Sequence, residues 1–111
     1  MRRLLTPGLV LLVAVALPLL LTGKGDAVAG KAVYTKRCAT CHSGAGEGKD
    51  AVAKMLKVEL RHLGSKEVQA KSDAELRTDI VEGTRKMKPV KGLSEQEVAD
   101  VIAYVRTLAK K

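Results

Sequence analysis

The sequence predicts an all-α fold on three observations. No segment alternates apolar and polar residues in the way that marks a half-buried strand. Two segments open with the Ser-x-x-Glu pattern of a helix N-terminus, Ser72 with Glu75 and Ser94 with Glu97. The second of these continues into Val98, Val101, Ile102, Val105 and Leu108, which recur at helical spacing. At 111 residues, without internal repeats or low-complexity tracts, the chain has room for one small domain.

The first element lies outside that domain. Arg2 and Arg3 precede an apolar run from Leu9 to Leu21, and small residues follow at Ala27 and Ala29. Positive, then apolar, then Ala-x-Ala is the plan of a secretory signal peptide, so residues 1–29 are assigned as a leader and residues 30–111 as the domain. The competing reading is an uncleaved membrane anchor. The run is short for a span of about 20 residues and Pro18 interrupts it, which favours cleavage. No cysteine follows the run, which speaks against a lipid-modified N-terminus. Either way the domain is expected to be exported, in a bacterium to the periplasm or the outer surface.

The remaining elements follow in chain order. Gly30 to Arg37 is a short helix candidate with Val33 and Tyr34 on its inner side. The stretch SGAGEGKDAV, with Gly44, Gly46 and Gly48 in alternation, reads as loop. From Lys54 to Val68, helical and alternating spacings mix, and no element is assigned. Asp73 to Glu82 reads as a helix with Ser72 and Glu75 as its capping box and Gly83 as its stop. TRKMKPVKG is a basic loop stiffened by Pro89. In the final helix Ser94 caps, Glu97 completes the box, Leu93 staples onto Val98, and Lys110 and Lys111 suit the negative end of the dipole.

Composition then asks for a staple. Removing residues 1–29 takes away Arg2, Arg3, Lys24 and Asp26 and lowers the formal net charge from +8 to +6, so the domain stays basic. It has no Trp or Phe and only Tyr34 and Tyr104 as aromatics. A domain this small buries little surface, and such domains lean on disulfides, metals or cofactors.

The staple is sought in KRCATCHSGAG, which holds both cysteines of the chain with a histidine directly behind them. Four readings compete. A structural disulfide or a thioredoxin-type redox pair needs only Cys38 and Cys41, but the redox fold requires a βαβ context absent here. A zinc site gathers Cys38, Cys41, His42 and His62, although adjacent Cys41 and His42 strain to reach one tetrahedral ion. Chance occurrence is the third. Haem attachment uses every residue of the C-x-x-C-H motif: cysteines about one helical turn apart can add to two vinyl groups on one porphyrin edge, which leaves His42 beneath the ring centre with Nε2 toward iron.

CATCH, the preceding helix with Gly30 and Tyr34, the segment IVEGTRKMKP and the closing LSEQEVADVIAYVRTL together resemble a class I c-type cytochrome of the small bacterial monohaem kind. The similarity covers essentially all of residues 30–111. It implies three to four helices wrapped around one covalently attached haem c, with Cys38 and Cys41 as attachment points and His42 as the proximal iron ligand. It also implies a close crossing of the first and last helices at Gly30, Tyr34 and Tyr104. The resemblance places the distal iron ligand at Met87, in the loop before the final helix, with Met55, His62 and an open position as alternatives. One departure from the family pattern is Lys88, which stands between Met87 and Pro89.

His/Met ligation raises the reduction potential and leaves no coordination site for a substrate. The resemblance therefore implies a one-electron carrier and not an enzyme. The alternative is a ligand-binding or peroxidase-like haem protein, or a haem subunit, with an open sixth position. Lys36, Arg37, Lys49, Lys54, Lys86, Lys88 and Lys91 flank the segments expected to border the haem. They could steer the protein to acidic docking surfaces on a reductase and an oxidase, or merely keep it soluble. No nucleic-acid reading motif is present. A membrane is expected only as the site of partner complexes or through an uncut anchor.

Overall fold

The computed structural model describes residues 8, 10–14 and 24–110. The leader expected at residues 1–29 thus lies outside the described residues over 1–7, 9 and 15–23, as does Lys111 at the other end. Among the described residues the elements are helical, with no strand: α1 (Ala27–Arg37), α2 (Ala39–His42), α3 (Asp50–Leu56), α4 (Lys66–Gln69), α5 (Asp73–Val81) and α6 (Glu95–Thr107). Two of the six, α2 and α4, are single turns.

The helix starts follow local chemistry. Ser72 and Ser94 each accept from the N–H three residues on, and Glu75 and Glu97 return the bond to the cap N–H. Both capping boxes are thus complete, and each closes two otherwise orphaned donors. α1 begins three residues before the expected Gly30: the Asp26 carboxylate accepts from the N–H groups of Val28 and Ala29 and caps the helix at Ala27. α3 occupies part of the stretch read as loop and part of the unassigned one. Lys57 ends it in a left-handed conformation, φ 53° and ψ 46°.

α6 organises the interior because its apolar residues form two stripes. Val101 and Val105 pack with Tyr34 of α1. Val98 and Ile102 pack with Leu76 of α5 and with Leu93, where the expected staple lies. α1 and α6 make the most extensive helix pair, and they meet backbone to backbone at Gly30. A Cβ there would stand 1.9 Å from the Asp100 carbonyl oxygen, a distance at which only glycine fits. The rings of Tyr34 and Tyr104 lie beside this crossing, 5.0 Å apart and tilted by 55°.

Side chains on α6 then secure the segments around it. Arg106 donates to the carbonyls of Gln69 and Lys71 and to the Asp73 carboxylate, which ties α6 to the α4–α5 junction. Gln69 Nε2 bridges the carbonyls of Leu63 and Val105 at 2.9 and 3.0 Å. The interior itself is thin: among the described residues six apolar side chains are buried, namely Tyr34, Leu76, Val98, Val101, Ile102 and Val105. A core this small stabilises a domain only marginally and calls for a staple of another kind.

Candidate functional site

The C-x-x-C-H motif sits where α1 runs into the single turn α2, with Cys38 as the junction residue. The turn is held from behind. Its last two carbonyls have no partner within so short a helix, yet they and the next two along the chain are satisfied from the following loop and from the helix crossing. Lys49 N–H donates to Cys41, and Gly48 N–H to His42 at 2.8 Å. Tyr34 Oη donates to the Ser43 carbonyl and Tyr104 Oη to the Gly44 carbonyl. Burial pushes the Tyr34 hydroxyl up to about 12, with the nearby Cys38, Tyr104 and Glu47 adding to the shift. It remains a protonated donor well into the alkaline range.

The grip forces Ser43 into φ 63° and ψ 171°, a region that belongs almost entirely to glycine. A side chain held there costs about 1–3 kcal/mol, so Ser43→Gly is expected to stabilise the protein by about 1 kcal/mol. That gain would raise the melting temperature by roughly 4–8 °C. A thermal melt of the loaded protein checks it, and an unchanged or lower melting temperature would show that Ser43 is unstrained.

Cys38 and Cys41 are both half-buried free thiols. Burial, opposed by Arg37 and reinforced by Cys41, raises the Cys38 thiol to about 11. A redox-active C-x-x-C pair needs the opposite, a lowered thiolate pKa, so the thioredoxin-type reading fails on electrostatics as well as on fold. Among the described residues no group of three or more His, Cys, Asp and Glu side chains could hold a metal ion. Cys38, Cys41, His42 and His62 are therefore not assembled as a zinc site. His62 instead accepts the Gly64 N–H at Nδ1, 2.8 Å away.

His42 is half-buried, and desolvation lowers its pKa, which keeps the imidazole neutral and its lone pair available to a metal. Its Nδ1 is buried without a hydrogen-bond partner. An orphaned buried ring nitrogen is unusual in a folded protein and marks a site of special chemistry. The thiols one turn apart, the neutral imidazole behind them and the thin apolar interior all fit a covalently attached haem.

The two candidate methionines, Met55 and Met87, separate clearly. Met55, on α3, is 72% exposed. Met87 is half-buried in the loop after α5, and that loop is pinned. Thr84 N–H donates to the Met87 carbonyl, Met87 N–H returns to Thr84 Oγ1 at 3.0 Å, and Val90 N–H donates to the Ile80 carbonyl. Gly83, at φ 77°, makes the turn possible, since a Cβ there would stand 2.6 Å from the Met87 carbonyl oxygen. The Arg37 guanidinium donates to the Lys91 carbonyl at 2.7 Å and so fastens the residue beside Cys38 to the far end of the Met87 loop. That latch is not legible in the sequence, where Arg37 reads only as a surface charge.

Comparison with known proteins points to one family. The family model described as Cytochrome c matches residues 27–109. Cytochrome c-554(547) of Halothiobacillus neapolitanus is 34% identical over 89 residues, which cover 76% of this chain and 98% of that protein. Among solved structures, the KustC0563 c-type cytochrome superposes with a TM-score of 0.63 at 33% identity. That match covers 73% of this chain and 98% of the other.

Proposed function

This chain belongs to the cytochrome c family, with haem c as its cofactor and haem-based electron transfer as its work, and on that premise we propose that it is an exported one-electron carrier. In this reading Cys38 and Cys41 would hold the haem and His42 and Met87 would ligate its iron. Bound haem supplies the one-electron couple. Cys38 and Cys41, both free and half-buried, would hold the haem through their sulfurs. Desolvation of His42 keeps an uncharged nitrogen ready for iron. Met87 offers a soft, weak thioether donor, which favours the reduced state and raises the potential. With both positions taken by the protein, no site remains for a substrate, which supports a carrier over an enzyme.

The latch between Arg37 and Lys91 carries this reading. It joins the attachment turn to the loop of the half-buried Met87, while Met55 points into solvent. Lys36, Arg37, Lys49, Lys54, Lys86, Lys88 and Lys91 are all exposed and supply a positive surface for acidic docking faces on redox partners. No helix among the described residues is long and apolar enough to cross a membrane.

The visible spectrum tests the ligand pair. Met87→Ala is expected to abolish the sulfur-to-iron charge-transfer band of the oxidised protein, while Met55→Ala keeps it. The Met87→Ala potential should fall by more than about 60 mV, a tenfold change in a one-electron equilibrium. Wild-type protein that is high-spin and readily takes up carbon monoxide would instead establish the open sixth position.

A further inference from the structure

The segment that the leader reading discards is built into the fold. Residues 25–29 make three kinds of contact with α1 and α6. The Asp26 side chain caps α1 by accepting from Val28 and Ala29 N–H at 2.8 and 3.4 Å. The Asp26 carbonyl accepts the first helical hydrogen bond, from Gly30 N–H at 2.8 Å. The Asp26 N–H in turn donates to Oδ1 of Asp100, 2.8 Å away and 74 positions along the chain. Asp100 is the one buried charged residue among those described, 7% exposed, and its other donor to the same oxygen is Gln96 Nε2. Upstream, the backbone still lies directly on α6: a Cβ at Gly25 would stand 1.9 Å from the Ala99 carbonyl oxygen.

A chain beginning at Gly30 would lose all of this. The first turn of α1 would have no cap, leaving backbone N–H groups without an acceptor. Asp100 would lose a donor in the interior, and a buried polar group short of a partner is destabilising. The new ammonium group would fall on Gly30, which is itself buried against the Asp100 carbonyl. Processing enzymes of the secretory route recognise small residues after an apolar run, and Gly23 and Gly25 provide them closer to that run than Ala27 and Ala29 do.

We infer that the leader is cut after Gly23 or Gly25, so that the exported domain retains Asp26–Ala29 as the cap and first turn of α1. Hydrolysis adds one water across that peptide bond, leaving a carboxylate on the leader and an ammonium on Lys24 or Asp26. The inference rests on the export proposed above. N-terminal sequencing and intact mass of the haem-loaded protein from the exported fraction test it. The expected first residue is Lys24 or Asp26, and any other first residue, Gly30 or an uncut Met1 included, overturns it.

Ala29→Lys provides a second arm, because Ala29 is exposed on α1 and tolerates the change within the fold. A lysine at that position blocks a cut after residue 29 and leaves one after Gly23 or Gly25 untouched. Unchanged processing of Ala29→Lys is expected, and its abolition overturns the inference. An exported haem protein that starts at Gly30 defeats this inference alone. An exported chain of bare polypeptide mass that starts at Lys24 or Asp26 defeats the carrier reading alone.

Discussion

Replacing both thiols, Cys38→Ala with Cys41→Ala, is expected to leave the purified chain at the mass of the bare polypeptide and without a cooperative thermal transition. The mass change follows from the chemistry, since a porphyrin has no other thiol in the chain to add to. Loss of cooperativity follows from the interior. Six buried apolar side chains among the described residues are a small core, and a domain that lacks disulfides depends on a large apolar group to complete it. Intact mass spectrometry and circular dichroism on heating read the two effects separately. A double variant that still carries haem mass would overturn the attachment site, and one that melts sharply without haem would show that the helices suffice alone.

Gly30→Ala should produce the next largest effect, a loss of about 3 kcal/mol and a fall in melting temperature of roughly 15 °C. The added methyl would lie 1.9 Å from the Asp100 carbonyl oxygen and 2.4 Å from its carbon, both backbone atoms that cannot swing aside. α1 and α6 must then separate. Their separation loosens the Tyr34 and Tyr104 hydroxyls that hold the turn behind His42. Gly44→Ala is the matched control, because nothing lies within 4 Å of the place its methyl would take. It is expected to stay within about 1 kcal/mol of the parent. Equal melting temperatures for the two variants would remove the crossing from the account of stability.

Much of this molecule is written locally. The two capping boxes are patterns of four residues, the stripe of α6 is a repeat of three and four, and C-x-x-C-H is complete within five positions. Each depends on atoms a turn apart, so the chain itself supplies the geometry. The start of α1 is legible too, since Asp26 ahead of an apolar turn is a cap signal. The small-residue pattern of a cleavage site overlies the same residues and masks it. α3 is hidden for another reason: its sequence offers no side-chain cap and its apolar residues Met55 and Leu56 face solvent.

By itself, then, the sequence determined the helical class, the C-x-x-C-H motif of Cys38, Cys41 and His42, and the cytochrome c kinship. The tertiary structure alone decided which methionine is sheltered, what strains Ser43 and what Asp26 holds besides its own helix. Those answers come from bonds between Arg37 and Lys91, Tyr104 and Gly44, and Asp26 and Asp100, which join residues 54, 60 and 74 positions apart. No local propensity encodes such pairings, because each exists only after α1 and α6 have crossed and brought distant backbone into reach.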